Sequence, residues 1–597
     1  MKNKIVWLIV TGLMVAVLVL ASCGPEATTT APPTTTPPTT TPPTTTPKPT
    51  GEPQYGGTLT NLHTHGYFEP QSWDPSETIW LVDVHTSPFM EKLFIGDFVK
   101  YGPRGTNQFP FTDMEFIPYE FHSPWLAESW EFPDNLTIVY HIRKGIMWAN
   151  KPGVMAAREM TANDVAFALE RTVHGPVAVA NQYWTTIASV TASDKYTVVV
   201  KMKQYDYNWT LPLSWGWHLL IYPPEVVNAP NGGIANWRNA NGTGPFILKD
   251  YVSGASLTYE KNPNYWGTTK IGGKDYKIPF ADKLVWPIIP DESTRLAAIR
   301  TAKVDINEGV STKYKKTLEE TNPDLTRYRI LGTAAYNVAM RMDTKPFDDI
   351  RVRRAMNMAI DRQAILNVIN LGEGEILSFP FSKEWGESLY TPLDKLPASA
   401  QELFKYDPAK AKQLLTEAGY PNGFPSELVI TSGLPEMSDV AAMLLDMWQK
   451  NLGVKVTLRV ADYASYLGIQ FGQTHKQMLF MSKGNSDPFT ILWIIGPPPG
   501  QYWNPSRYDD PVFADLFARA RLATTQAAAY KLLKEANVRW IDQAPTVILA
   551  ETYYYAYAWP WVKNWYGEVN TGTRSPGLIH ATIWIDQDLR EQKTGKK

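Results

Sequence analysis

Residues Pro25 to Pro53 are almost entirely threonine and proline, with recurring Thr-Thr-Thr-Pro-Pro runs and no large apolar side chain. A stretch of this kind has nothing to bury and stays extended. It splits the 597-residue chain into a short leader and a body that must carry all the folded structure. Proline-rich chain rises ~3.1 Å per residue, so the 29 residues reach up to roughly 90 Å. Such a segment suits a tether that holds a folded body away from a surface.

The leader says which surface. Lys2 and Lys4 precede an uninterrupted, weakly polar run of 17 residues, Ile5 to Ala21. A membrane-spanning helix needs about 20 residues, so the run fits a secretory signal better than a stable span. It ends in Leu20-Ala21-Ser22-Cys23, which resembles the bacterial lipobox. That resemblance implies a signal peptide over 1–22, cleavage before Cys23, acylation of its thiol and new amine, and a lipidated tether over 23–53. Several acyl chains satisfy the requirement of more than one for stable anchoring.

Lys plus Arg is 57 and Asp plus Glu 59, a net charge of −2. A near-neutral chain lacks the basic face that phosphate binding needs, so nucleic acid is not an expected partner. Cys23 is the single cysteine, which excludes an intrachain disulfide framework and a CxxC zinc site. The 22 Trp and 30 Tyr suggest large cores or a cleft with stacking surfaces.

The body alternates between strand and helix periods. Leu136, Ile138, Tyr140 and Ile142 predict a half-buried strand, as do Tyr196, Val198, Val200 and Met202. Between them, Thr161 to Asp164 forms a capping box before Val165, Leu169 and Thr172 at helical spacing. Val352, Met356, Ala359, Leu366 and Ile369 predict one helix beginning near Asp348. Asp407 and Pro408 open another, which Gly419 and Pro421 close. A strand Leu428–Thr431, a helix Met437–Leu452 ended by Gly453, and an alternating strand Val454–Val460 form a βαβ crossover. That means a parallel pair in an α/β lobe. The polar last eight residues are expected to fray.

Catalytic signatures are absent: no GxSxG, HExxH or GxxxxGK[ST] occurs. Gly242 to Phe246 reads as a turn, because a proline stands where a phosphate-cradling amide would be needed. His63 and His65 could pair on a metal but have no third ligand in sequence reach, so neither metal nor cofactor is expected. Asp348 and Asp349 fit helix N-terminal charges. Asp509 and Asp510 are sequence neighbours, unlike the opposed carboxylates of a glycosidase. A tethered hydrolase would need an opposed carboxylate pair, or a nucleophile with its base. The aromatic stretches are more suggestive. Tyr67 and Trp73 follow His63, Trp215 and Trp217 flank a glycine, and Tyr463, Tyr466, Met481, Trp493, Tyr502 and Trp503 bracket a Gly/Pro-rich region. Flat side chains cover ligand area at little rotamer loss, as a tolerant cleft requires.

From Gly56 onward the chain resembles the extracellular solute-binding protein family 5, the dipeptide- and oligopeptide-type receptors of ABC importers. The matching stretches are Gly56 to Leu59, Leu126 to Trp130, Ile142 to Gly145, Thr161 to Val165, Gly242 to Phe246 and Asn262 to Trp266. Pro346 to Asp349 follows, with Val352 to Ala355, Ala359 to Asp361, Tyr406 to Pro408 and Glu417 to Pro421, all in the family's order. The resemblance implies an α/β, two-lobed periplasmic-binding fold with a hinge and an extra inserted subdomain. Mapped here, the first lobe takes 54–91, 230–330 and 550–597, the insert 92–229, and the second lobe 331–549. It also implies a monomer that captures a peptide between its lobes and delivers it to an ABC permease, with oligosaccharide capture as the alternative within the family.

Many peptide-binding members carry an aspartate four residues before a proline in the segment matching Ser482 to Pro488, where it pairs with the ligand's α-amine. Gly484 holds that position here. Two readings follow: Asp487 takes over the amine, or the ligand lacks a charged amine. The candidate ligand-binding set is His63, Tyr67, Trp73, Tyr463, Tyr466, Met481, Lys483, Gly484, Asn485, Asp487 and Trp493.

Overall fold

The computed structural model describes residues 51–63, 69–70, 72–76, 81–112, 116–173, 187–209, 219–332, 334–432, 434–484, 487–496, 504–572 and 575–596. Cys23, His65, Tyr67, Trp215, Trp217, Asn485, Tyr502 and Trp503 lie outside the described residues. Among the described residues no helix is long and apolar enough to cross a membrane. The tether's last residues already belong to the body: Glu52 accepts from Lys274 at 2.6 Å and from Tyr276 at 2.5 Å.

One large sheet has the strand order Thr326–Leu331, Glu551–Ala558, Ile306–Ser311, Thr58–Leu62, Lys283–Pro287, Ser256–Lys261, Phe246–Val252. Thr58–Leu62 runs parallel to both of its neighbours, and the remaining pairs are antiparallel. A second sheet orders Lys455–Ala461, Pro425–Thr431, Met478–Gly484, Ala334–Met340 and Thr546–Ile548. Its first two strands are parallel, joined through the helix Pro435–Leu452, as the βαβ spacing predicts. Gly453 closes that helix at φ 77°, a left-handed position that glycine adopts without a Cβ clash. A third sheet of Ala127–Asp134, Thr137–Ile142, Thr197–Met202 and Ile187–Asp194 is wholly antiparallel and carries the helix Ala162–Val173 on one face. The first two sheets are the cores of the two lobes, and the third is the insert.

Aspartates start many of these helices. Asp349, Asp361, Asp407, Asp462 and Asp510 each accept a backbone N–H of the first turn. Asp361 corrects one expectation. The apolar stripe from Val352 to Ile369 is two helices, Ile350–Met358 and Arg362–Asn370, because Asp361 caps a new start after Ala359. The first begins at Asp349 rather than Asp348. Leu136 is also outside its predicted strand: it is exposed in the turn, and Thr137–Ile142 is buried on both faces except at His141. Of the polar last eight residues, Arg590 to Thr594 are helical rather than frayed, and Lys597 lies outside the described residues. Asp586 caps the helix Gln587–Thr594, and Lys593 pairs with Asp324 at 2.6 Å. Gly242 and Gly244 serve close approach rather than a left-handed turn: a Cβ on either would fall 1.8 or 2.7 Å from the Phe89 backbone.

The chain crosses between the lobes near 332 and 550, and the two crossings are adjacent, with the Gly332 N–H donating to the Thr552 carbonyl at 2.9 Å. Gly374–Glu375 returns from the second lobe to pair with Glu551 and Thr552. The insert is joined to the first lobe around Glu91, a buried carboxylate. Its Oε1 accepts from Trp125 Nε1 at 2.6 Å and Tyr265 Oη at 2.8 Å. Its Oε2 accepts from Thr243 Oγ1 at 2.7 Å and Trp266 Nε1 at 3.4 Å. Burial pushes its pKa up, while the four donors pull the other way.

Candidate binding site

Asp487 and Pro488 open the helix Pro488–Ile495, whose side chains are buried nearly all round. The Asp487 Oδ1 accepts the amide N–H groups of Phe489 and Thr490, each at 3.0 Å. Aspartate followed by proline is a local signal for this start: the carboxylate satisfies orphan donors, and the proline lacks the N–H that would be orphaned. The cap holds Asp487 at 3% exposure, with Oδ2 making no hydrogen bond among the described residues. Burial pushes its pKa up to about 6 against the pull of the cap bonds.

That carboxylate is part of the wall of a 320 Å³ cavity between the insert and the second lobe. The insert side contributes Phe132, Asp134, Asn135, Met202, Tyr205, Tyr207 and Asn208, with Phe116 and Tyr119 from the stretch before its sheet. The second lobe contributes Asp487, Pro488, Phe489, Thr524 and Tyr530. Burial pushes the phenol of Tyr119 up to about 12 and those of Tyr207 and Tyr530 higher still, so all three are neutral hydroxyls. Asp134 is exposed, and its oxygens are taken by Leu136 N and Thr137 Oγ1.

Direct contacts surround the cavity. Arg521 donates to Asp206 Oδ2 through Nε at 3.0 Å and also through Nη2. Tyr205 Oη donates to the Ala523 carbonyl at 2.9 Å, and Gln526 Nε2 to Glu120 Oε2 at 3.0 Å. Phe116 and Trp385 pack at 5.0 Å, and Tyr207 and Phe489 at 6.1 Å. These bonds bridge segments far apart in sequence, which is why sequence reasoning missed Tyr205, Asp206 and Arg521. The only local hint was the aromatic and acidic run from Tyr205 to Tyr207 just beyond a strand end.

Of the candidate set, Asp487 alone among the described residues is in the wall of this cavity. His63 lies in a buried cluster of the first lobe, where its Nε2 is 3.4 Å from Glu308 Oε2 and its ring stacks on Trp286 at 5.4 Å. Asn61 and His580 reach Glu308 Oε1 at 2.7 and 3.2 Å. Burial alone would raise the Glu308 pKa, but the His63 charge and the two hydrogen-bonding partners reverse this and lower it. Among the described residues no group of three His, Cys, Asp or Glu could hold a metal. Trp73 is buried in the first lobe's core, edge-on to Tyr251 at 5.6 Å. Tyr466 and Met481 are buried behind the second sheet, and the Tyr466 hydroxyl donates to the Phe480 carbonyl at 2.8 Å. Tyr463 is 45% exposed and stacks on Tyr466. Trp493 packs half-buried on the second lobe's helical core. Lys483 and Gly484 end the strand Met478–Gly484.

Residues 122–513 match the profile of the bacterial extracellular solute-binding proteins, family 5. The heme-binding protein A of Haemophilus influenzae is 28% identical over 471 residues, covering 74% of this chain and 81% of that protein. The dipeptide-binding protein of Escherichia coli is 26% identical, covering 72% and 81%. Among solved structures, the Helicobacter pylori DppA complex with the peptide STSA superposes with a TM-score of 0.69 at 23% identity, covering 89% of this chain and 99% of that one. The Bacillus subtilis AppA complex with a nonapeptide gives 0.67 at 18% identity, covering 89% and 100%. With its two lobes, its inserted sheet and a profile match over well more than half its length, the chain belongs to the bacterial extracellular solute-binding proteins of family 5.

Proposed function

We propose that the protein is a lipid-anchored, monomeric receptor that captures oligopeptides outside the cytoplasm and hands them to an ABC permease. The family match carries this reading, together with relatives named for dipeptide, di/tripeptide and oligopeptide binding. The anchor is Cys23, the reach comes from the Thr/Pro tract, and the protein acts as a receptor rather than a catalyst. Ligand binding is linked to closure: a solute that touches both lobes only when they are closed shifts the equilibrium by its differential affinity for that state. The adjacent crossings near 332 and 550 are suited to rotation about a short axis. Backbone groups would hold peptides of varied sequence, and aromatic pockets would accept their side chains.

The test is native mass spectrometry of the body from about residue 54, purified from a peptide-rich lysate. A ladder of co-purifying peptide masses is expected. Hexose-spaced masses would transfer the assignment to oligosaccharides, and a porphyrin absorption band would transfer it to heme, which one relative is named for binding. Anchoring is tested separately: Cys23→Ser should release the protein from membranes, and continued membrane retention would exclude lipidation at that residue.

A further inference from the structure

Beside the two crossings, a short stretch of the second lobe is fastened to the first by its side chains. Gly374–Glu375 follows the helix Arg362–Asn370 and pairs with Glu551 and Thr552, next to the bond from Gly332 to Thr552. Glu373, one residue earlier, reaches into the first lobe. Its Oε1 accepts from Lys315 Nζ at 2.8 Å. Its Oε2 accepts from the Tyr555 hydroxyl and lies 3.3 Å from Arg329 Nε. Glu375 Oε1 accepts from the Tyr553 hydroxyl at 2.7 Å and from Lys383 of its own lobe. The same cations cover the same rings: Arg329 is 3.5 Å from the centre of the Tyr553 ring and Lys315 5.1 Å from that of Tyr555. Lys315 opens the helix Lys315–Thr321, and Arg329, Tyr553 and Tyr555 lie in the first sheet. Both carboxylates of this second-lobe stretch are thus held by groups of the first.

A pair of crossings lets two lobes pivot, whereas side chains reaching across from a separate helix and strand fix the angle between them. An exposed ion pair is worth little singly, but here one carboxylate collects two cations and a phenol, and those cations also stack on the phenols. Glu373 keeps 22% of its side chain in solvent and Lys315 29%, so dissolved salt reaches the cluster and screens it. Elsewhere the insert touches the second lobe through Arg521 and Tyr205, so the cluster is assembled in an orientation that brings those surfaces together. We propose that Glu373, with Lys315, Arg329 and Tyr555, is an electrostatic clasp beside the hinge that holds the lobes in this closed orientation and releases as ionic strength rises. Closure then depends on the salinity of the surroundings, whichever solute the protein captures.

The distance between the lobes reads the clasp directly. The single cysteine is Cys23, so in a Cys23→Ser chain Val252→Cys and Val460→Cys take a pair of fluorophores. Both positions are exposed, and each is on the edge strand of its sheet away from the crossings. Without added solute, energy transfer should fall as sodium chloride rises from about 10 mM to about 1 M, where the Debye length shrinks from ~30 Å to ~3 Å. Glu373→Gln should raise the open-to-closed ratio about fivefold at low salt and flatten the salt response. Adding Lys315→Gln to it should open the protein no further, because the pair is already broken. Lys315→Gln alone carries the comparison if Glu373→Gln does not fold. Equal transfer in wild type and the folded variant at low salt, a salt response that survives the substitution in full, or additive effects in the double variant would overturn the clasp. None of these results bears on the peptide ladder, so the solute-receptor reading stands or fails separately.

Discussion

On the side of the insert that faces the first lobe, Glu91 is buried with both oxygens filled by neutral donors, and Phe89 is packed against glycine backbone where a Cβ would not fit. On the side that faces the second lobe, Asp487 is just as buried, yet its Oδ2 has no hydrogen-bond partner among the described residues, and the surfaces meet around a cavity through a few polar bridges. Burial raises the pKa of both carboxylates. The difference lies in what surrounds them. A carboxylate whose neighbours satisfy it completely fixes two parts of a protein together; one left half-satisfied keeps binding capacity in reserve. The insert is thus tied more tightly to the first lobe than to the second.

Glu91→Gln should give the largest effect. Each oxygen faces an indole N–H, which cannot accept a hydrogen bond, so the new amide NH₂ meets a donor in either orientation. A loss of about 2–3 kcal/mol is expected in denaturant unfolding. An unchanged midpoint would show that the carboxylate does not hold this joint.

The Asp487 side should respond to pH. Its folded pKa of about 6 lies above the ordinary 3.8, so its favourable contribution is present below pH 4 and is lost as pH rises through about 6. That slope amounts to up to about 2–3 kcal/mol and should vanish in Asp487→Asn. Asp134 and the Tyr530 phenol share the cavity, but Asp134 is exposed and Tyr530 stays neutral throughout this range. Identical pH profiles for the two proteins would refute the raised pKa.

Arg521→Ala removes the bridge to a buried Asp206 and should weaken the closed state by about 1–2 kcal/mol. Solute affinity would fall 5- to 30-fold, and scattering would show a more open ligand-free form. Undiminished affinity would mean that the insert contributes nothing to closure. Tyr205→Phe, which loses only the hydroxyl bond to Ala523, should cost about 1 kcal/mol by the same measurements. A Tyr205→Phe effect larger than that of Arg521→Ala would invert the proposed order of these contacts.

Much of the architecture could be read from local chemistry. Asp407 with Pro408, Gly453, and the Thr161–Asp164 box, whose Asp164 accepts the Thr161 N–H at 2.8 Å, each act over a few residues and are visible as such. The split at Asp361 was missed because the apolar stripe continues through it, and periodicity cannot register a second cap inside an unbroken pattern. The C-terminal helix was missed because its stability comes from Asp586 at its start and from partners elsewhere, such as Thr58, whose carbonyl accepts from Arg590 at 3.0 Å. At the candidate site, sequence comparison pointed to Asp487 but not to the cavity around it. The walls converge from the insert and from a helix hundreds of residues later, and composition marks aromatic residues without saying which meet.

The strand Glu551–Ala558 lies inside the first sheet, between Thr326–Leu331 and Ile306–Ser311. The second sheet, by contrast, draws all its strands from the unbroken span 334–548. A chain delivered across a membrane from its N-terminus can therefore assemble the second lobe first, while the first waits with unpaired strand edges for its last piece. During that interval the exposed edges are open to association with other chains. The unfinished first sheet would keep those edges until its last strand, Glu551–Ala558, arrives to pair with both neighbours.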